Sequence, residues 1–474
     1  MKFHAALFAL LGWLSANQAS MAQSAVSSAE SAFHSLAQRP PMGWNSRGSF
    51  GTTLTEAQAR ENARVMAEKL KSHGYEYFVV DIQWYEPNAT GFTYRKGAPL
   101  TLDKWGRLLP APNRFPSAAH GAGFRPLADY VHSLGLKFGV HLMRGIPRQA
   151  VSRNLPIRNT SLKAADIANL NSVCDWNTDM YGVDMSKPGA QAYYDSVFAL
   201  LASWEVDFVK ADDMSRSYHA NIAEIEAVRH AIDRSGRPMV LSLSPGETPL
   251  TAAGHVRDHA NMWRISDDFR DTWPALLSQF KLLENWNAYR GPGHWPDADM
   301  LPLGVLELGK RSTRFTRDEQ ITLMTLWSIA RSPLMMGGDL RKLDDDTLAL
   351  LTNAGVLAVN QNSSNNQLLW NRNGHIVWTA SAPKARAKYV ALFNTRDRPA
   401  GSADAGERIE LPYQDLGFIE VASVRDLWAG RDINAASHAL TPVVPWHGAA
   451  LYRVTPRITE PSLSRHAGDI RPPL

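Results

Sequence analysis

Two textures alternate along most of the chain. Short, wholly apolar runs recur between longer stretches in which apolar residues return every three or four positions. The first reads as strands buried on both faces of a parallel sheet, the second as amphipathic helices covering that sheet. Eight such runs lie near residues 41–46, 77–81, 137–143, 206–213, 238–244, 262–268, 294–300 and 333–338. Between the first two, Thr55 and Gln58 have capping-box spacing, Ala59, Ala63, Met66 and Leu70 mark one helical face, and Gly74 ends it. Helices are expected likewise over 124–134, 189–204 and 222–233, and a long apolar one capped by Thr316 with Glu319 precedes the eighth run. Residues 144–184 read as an irregular insertion.

This alternation predicts an α/β fold, a (β/α)8 TIM barrel over residues 39–358. An open doubly wound sheet is the competing architecture, but no glycine-rich dinucleotide fingerprint follows the first strand. Beyond the barrel the texture changes. Short β-branched or aromatic runs at 375–382, 389–394, 419–426 and 449–454 predict a C-terminal antiparallel β-sandwich domain over 359–456. Residues 457–474 form a polar, proline-containing tail.

Composition narrows the class. The chain has 474 residues, 44% hydrophobic and 20% charged, with a net charge of +4. A small net charge without a long Lys/Arg block implies no nucleic-acid partner. The start of the chain, with Lys2, an apolar run to Leu14 and small residues around Ser20 and Ala22, reads as a secretory signal peptide over 1–22. A Ser- and Ala-rich linker follows over 23–38. A secreted or periplasmic protein without a membrane anchor is expected, since no later stretch is long and apolar enough to span a bilayer. Cys174 is the single cysteine, so no intramolecular disulfide can form. Fifteen tryptophans offer flat faces that stack on sugar rings or simply fill a core.

The candidate chemistry sits where strands end. Asp81, Asp212 with Asp213, Asp267 with Asp268, and Asp297 with Asp299 all close apolar runs. At the C-terminal rim of a barrel they would converge. Carboxylates gathered in this way bind a metal or do acid/base and nucleophilic work on a sugar. Lys210, two residues before Asp212, and Arg264, four before Asp268, favour the second role. A fixed cation holds a neighbouring carboxylate ionised and donates hydrogen bonds to hydroxyls.

These residues bring out a resemblance. Pro41-Met42-Gly43-Trp44-Asn45-Ser46, the run 77–84, and Phe208 to Asp213 resemble motifs of glycoside hydrolase family 27, the α-galactosidase family. So do Trp263-Arg264 with Asp268 and Trp273, the run 291–301, and 356–361. The likeness extends from about residue 39 to 455. It implies a retaining exo-glycosidase without a cofactor, acting on an oligosaccharide or polysaccharide, with α-galactosides as the first expectation. Asp212 matches the family's nucleophile and Asp268 its acid/base. Asp81, Lys210, Arg264 and Asp299 match sugar-contacting positions, and Trp44 and His141 are further candidates for substrate binding. Three of these have a structural alternative: barrel packing for Trp44, a satisfied core histidine for His141, and an acid binding loop amides for Asp299.

The chain also departs from the family pattern. A second acid normally follows the strand-two aspartate, where this chain has Ile82. Arg47 stands where a tryptophan is common, and His141 replaces a tyrosine. Loss of the second acid keeps β-L-arabinopyranosidase, α-N-acetylgalactosaminidase and isomaltodextranase activities open. Arg47 would recognise an anionic sugar or, as the favoured expectation, pair with a nearby acid. Two other classes compete: a Schiff-base lyase using Lys210, and a sugar-binding protein without turnover.

Overall fold

The computed structural model describes residues 33–383, 386–401, 405–434 and 438–457. The expected signal peptide, most of the linker and nearly all of the tail lie outside the described residues. No described helix is long and apolar enough to cross a membrane.

Eight parallel strands form one curled sheet. They are β1 (Met42–Asn45), β2 (Tyr77–Val80), β3 (Lys137–Met143), β4 (Phe208–Asp212), β5 (Val240–Leu243), β6 (Met262–Arg264), β7 (Trp295–Asp297) and β8 (Leu334–Met336). Neighbours pair in chain order from β1 to β7, and β8 pairs with β1 through Met42↔Leu334. No ladder joins β7 to β8. Just past β7, Leu301 donates to Met335 O at 2.8 Å and accepts from Gly337 N at 3.0 Å, which closes the barrel. Gly43 permits the tight β1–β2 contact, since a Cβ there would stand 2.1 Å from the Tyr77 carbonyl oxygen.

Alternation along each strand sorts the side chains. Tyr77, Val79, Phe208, Val240, Met262, Trp295 and Met335 fill the barrel axis, with Leu36 and Ala37 packed against them. Phe78, Val80, Val209, Ala211 and Leu241 point outward into the larger core beneath the helices. Those helices include α1 (Glu56–Lys69), α2 (Arg125–Ser133), α3 (Ala190–Ser203), α4 (Tyr218–Arg234), α5 (Ala253–His259), α6 (Trp273–Trp286) and α7 (Arg317–Ala330). Both expected capping boxes are present, Thr55 with Gln58 on α1 and Thr316 with Glu319 on α7.

The insertion after β3 is more regular than its sequence. Ile146–Pro147, Met180–Val183 and Ala168–Val173 form a small antiparallel sheet. Its outer strand exposes Asn169, Leu170 and Asn171 in succession and carries a register shift. It therefore lacks the alternation that marks a strand in sequence.

From Ser364 the chain builds a six-stranded antiparallel sheet. Its strands are β9 (Ser364–Arg372), β10 (His375–Ser381), β11 (Lys388–Asn394), β12 (Val421–Asp426), β13 (Arg431–Ile433) and β14 (Ala449–Pro456), ordered β9-β10-β11-β14-β12-β13. Trp378, Ala391, Phe393 and Leu451 share the barrel's core, whereas Val377, Val390, Leu392 and Val454 face Ile409, Leu411, Leu440 and Val444. Leu411, Leu440 and Val444 belong to two short strand pairs that, with Ile409 between them, complete a sandwich.

Candidate active site

The barrel axis changes from apolar to polar toward the C-terminal ends of its strands. On β4, Phe208 lies in the apolar layer, and Lys210 and Asp212 follow on the same face at two-residue spacing. The same spacing places Asn45 beyond Gly43, Asp81 beyond Val79, His141 beyond Gly139, Arg264 beyond Met262 and Asp297 beyond Trp295. The polar layer thus follows from strand register.

Two linked networks occupy it. Asp81 accepts from Lys210 Nζ at 2.9 Å and Asn45 Nδ2 at 2.8 Å through Oδ2, and from Ile82 N at 2.9 Å through Oδ1. Burial works to raise its pKa, but Lys210, His141 and the Asn45 amide outweigh burial and hold it well below the usual range. Asp212 accepts from His141 Nε2 at 2.8 Å and Ser244 Oγ at 3.0 Å, and is 6% exposed. Burial again opposes ionisation, yet His141 and Lys210 prevail and lower its pKa. Lys210 is pushed the other way: burial disfavours its charge, but Asp81, Asp212 and Asp299 raise its pKa overall. A lysine so held keeps its proton, which argues against the Schiff-base alternative.

The second network centres on Arg264. Its Nη2 lies 2.8 Å from Asp299 Oδ2 and 3.5 Å from Asp268 Oδ1. Asp299 also accepts from Phe269 N at 2.8 Å and Met300 N at 2.7 Å, with a left-handed φ of 82° that turns its carboxylate toward both amides. Burial and Asp268 raise the Asp299 pKa against the pull of Arg264. Asp297, one layer lower, is pushed up to about 7 by burial and by Asp299. Asp268 is the open member, with 58% of its side chain exposed on the loop after β6.

A cavity of about 370 Å³ lies over these groups, and Asp81, Lys210, Asp212, Arg264, Asp268 and Asp299 all line it. Asp212 and Asp268 therefore face the same space from β4 and from the β6 loop. Trp44 and His141 do not reach it. Trp44 is fully buried, stacked on Phe78 with its Nε1 on Gly338 O at 2.7 Å, so packing claims it. His141 is also fully buried and meets the cavity only through Asp212.

Asp213 and Asp267 do not line the cavity; Arg144 engages the first at 2.8 Å, and Arg216, itself on the cavity wall, engages the second at 2.5 Å. The expected pairing of Arg47 is corrected. Among the described residues it meets no carboxylate, and its guanidinium lies over Phe92 and Tyr94 at 5.0 and 5.6 Å. Sequence reasoning missed Asn45, Ser244 and Tyr94. Ser244 had a signal, since the register that pairs Ala211 with Leu243 sets it opposite Asp212, whereas Asn45 pairs with Val79 and had only its place at the end of β1. Tyr94 lies in a long loop and had none. Two groupings of histidines and carboxylates, Glu226 with His255 and His259 and Asp129 with His132 and Glu205, converge elsewhere, on residues that do not line the cavity.

The chain matches the family model "Alpha galactosidase A" over residues 45–186 and 178–362, and "Alpha galactosidase C-terminal beta sandwich domain" over 372–454. The α-galactosidase of Coffea arabica is 30% identical over 429 residues, spanning 89% of this chain and 95% of that one. The Cyamopsis tetragonoloba α-galactosidase is 29% identical over 429 residues, with coverages of 89% and 87%. Among solved structures, a β-L-arabinopyranosidase from Geobacillus stearothermophilus has a TM-score of 0.86 and 49% identity, covering 90% of this chain and 99% of its own. A provisionally named α-N-acetylgalactosaminidase from Bacillus halodurans has a TM-score of 0.78 and 45% identity, with coverages of 88% and 97%. Barrel, sandwich and acid-lined cavity thus belong to a glycoside hydrolase. The chain is a member of glycoside hydrolase family 27.

Proposed function

We propose that the protein is an exported, retaining exo-glycosidase that removes terminal sugars of galacto configuration, taking β-L-arabinopyranosides in preference to α-D-galactosides. The observation that carries the mechanism is the ionised Asp212 carboxylate facing the same cavity as Asp268. Asp212 attacks the anomeric carbon as the bond to the departing oxygen breaks, and Asp268 gives that oxygen a proton. Water then adds to the anomeric carbon, Asp268 takes its proton, and the ester to Asp212 is released. Two displacements restore the starting configuration. Asp81, Lys210, Arg264 and Asp299 hold the sugar hydroxyls, while His141 and Ser244 orient the nucleophile.

The sugar preference rests on Ile82. β-L-Arabinopyranose is α-D-galactopyranose without its C5 hydroxymethyl group, with the other ring carbons and the axial anomeric bond alike. Ile82 is 2% exposed and packs in the apolar core, so the residue after Asp81 gives the outer end of a sugar no second acceptor. A hydroxymethyl buried there without its partner costs about 1–3 kcal/mol, whereas a pentopyranose has no such group to satisfy. The 49% identity with the Geobacillus β-L-arabinopyranosidase supports the same reading. α-Galactoside hydrolysis is the second reading, supported by the curated relatives named for it. The apolar N-terminal run supports export.

The test compares aryl β-L-arabinopyranosides with aryl α-galactosides and reads the first-formed anomer by proton NMR. Retention is expected, and Asp212→Asn should abolish turnover while leaving the circular dichroism spectrum unchanged. An inverted product, or activity surviving in Asp212→Asn, would overturn the mechanism.

A further inference from the structure

Two cations of the cavity wall, Arg270 and Arg47, form no ion pair among the described residues; Arg270 is exposed to solvent, whereas Arg47 is half-buried. Lys210 pairs with Asp81, Arg264 with Asp299, Arg311 with Asp271, and Arg216 with Asp267. Arg47 pairs with no carboxylate among the described residues, although it lines the same cavity. Among the described residues its Nη1, shielded from solvent, has no hydrogen-bond partner, and its Nη2 reaches only the Phe92 carbonyl, at 3.5 Å. The faces of Phe92 and Tyr94 steady the guanidinium without occupying its N–H groups. A half-buried guanidinium with a donor left open is costly unless a ligand completes it.

Its place in the site says which part of a ligand would do so. The Asn45 side chain accepts from the Arg47 backbone N at 2.9 Å and donates to Asp81 Oδ2 at 2.8 Å. One amide therefore ties Arg47 to Asp81, one of the residues assigned above to the sugar hydroxyls. On this same side the residue after Asp81 is the uncharged Ile82. Arg47 therefore stands on the Asp81 side of the cavity, where the residue after Asp81 brings no carboxylate and where the C5 substituent would lie.

We infer that the cavity also accepts a terminal hexuronate of galacto configuration, an α-D-galacturonide, whose C6 carboxylate meets the Arg47 guanidinium. The inference rests on the proposed orientation of the sugar with its outer end at Asp81. A carboxylate on C5 would give Arg47 the acceptors it lacks, in a charge-assisted pair that a neutral hydroxymethyl cannot match.

The experiment measures competitive inhibition of aryl β-L-arabinopyranoside hydrolysis by D-galacturonate and by D-galactose, and turnover of an aryl α-D-galacturonide. Galacturonate should inhibit at least about 10-fold more tightly than galactose, the scale of one charge-assisted hydrogen bond. Arg47→Gln should erase that ratio and Arg47→Lys should keep most of it, with thermal midpoints recorded for both variants. Higher ionic strength should narrow the ratio in the wild type. If the arabinopyranoside is hydrolysed but galacturonate binds no better than galactose, or the ratio survives Arg47→Gln, the inference is wrong and the function stands. If neither the arabinopyranoside nor the galactoside is hydrolysed, both fall together.

Discussion

Replacing Lys210 by methionine probes how the polar layer is held together. Methionine keeps the length and apolar stem of the side chain and removes only the ammonium. Asp81, 1% exposed in its side chain, then loses the 2.9 Å partner that contributes most against its burial and keeps the Asn45 amide, its own backbone turn and the weaker influence of His141. Removing one member of a buried ion pair costs about 3–5 kcal/mol, because the survivor is a charge without compensation. The pH dependence fixes the cause. In the wild type the Asp81 pKa is lowered on folding, so its contribution is present above an unfolded value near 3.9 and lost as pH falls toward the folded value. In Lys210→Met, burial prevails and the folded pKa rises above the unfolded one, so the penalty grows with pH and shrinks in acid. Urea unfolding followed by tryptophan fluorescence should show the full loss at pH 8 and a loss closer to 1–2 kcal/mol near pH 4.5, roughly two pKa units of relief. Adding Asp81→Asn to Lys210→Met should recover most of the stability, since no lone charge remains. A loss that is flat with pH, or a double variant as unstable as the single one, would refute the reasoning.

Two further outcomes test other parts of the site. Ile82→Asp should shift kcat/KM toward the α-galactoside, relative to the β-L-arabinopyranoside, by about 10- to 100-fold, the worth of one buried hydroxyl acceptor; an unmoved ratio would remove Ile82 as the source of preference. Asp297 has a folded pKa near 7, so the folded state holds a proton that the unfolded state has released, and stability declines as pH rises from about 4 to 7. Asp297→Asn, which keeps the acceptor for Asp299 N, should match the wild type below pH 4 and exceed it by roughly 2–4 kcal/mol at pH 8; denaturation at the two pH values decides this.

The sequence was most readable where one physical rule acted alone. Strands buried on both faces must be apolar, so all eight barrel strands stood out, and an acid ending such a run marks the rim. The catalytic candidates came from that rule joined to family motifs. Legibility failed where the answer depends on residues far apart in the chain. The His141–Asp212 bond joins positions 71 apart, and neither local sequence announces it. Trp44 suited a sugar platform as well as a core, and only its stacking on Phe78 decided for the core. The expected pairing of Arg47 with an acid fails for the same reason: Phe92 and Tyr94, which its guanidinium covers, lie some 45 residues away, and a short-range pattern carries no sign of them. Strand β9 escaped notice because its polar opening, Ser364-Asn365-Asn366-Gln367, has no apolar alternation.

Helix α7 answers to both halves of the molecule. Thr322 donates to His447 O at 2.7 Å and Thr325 accepts from Trp428 Nε1 at 2.9 Å, both partners lying in the sandwich. From the same helix, Trp327 Nε1 donates to Asp299 O at 3.0 Å on the cavity side of the barrel. His447 also stacks on Trp273 at 3.7 Å, at the start of the helix that follows the Asp268 loop. The C-terminal module is thus a keystone: none of its described residues lines the cavity, yet it helps to seat the acids that do. Cutting the gene after Ser363 should yield aggregated protein rather than a smaller hydrolase, and heating the intact chain should melt both halves in one step.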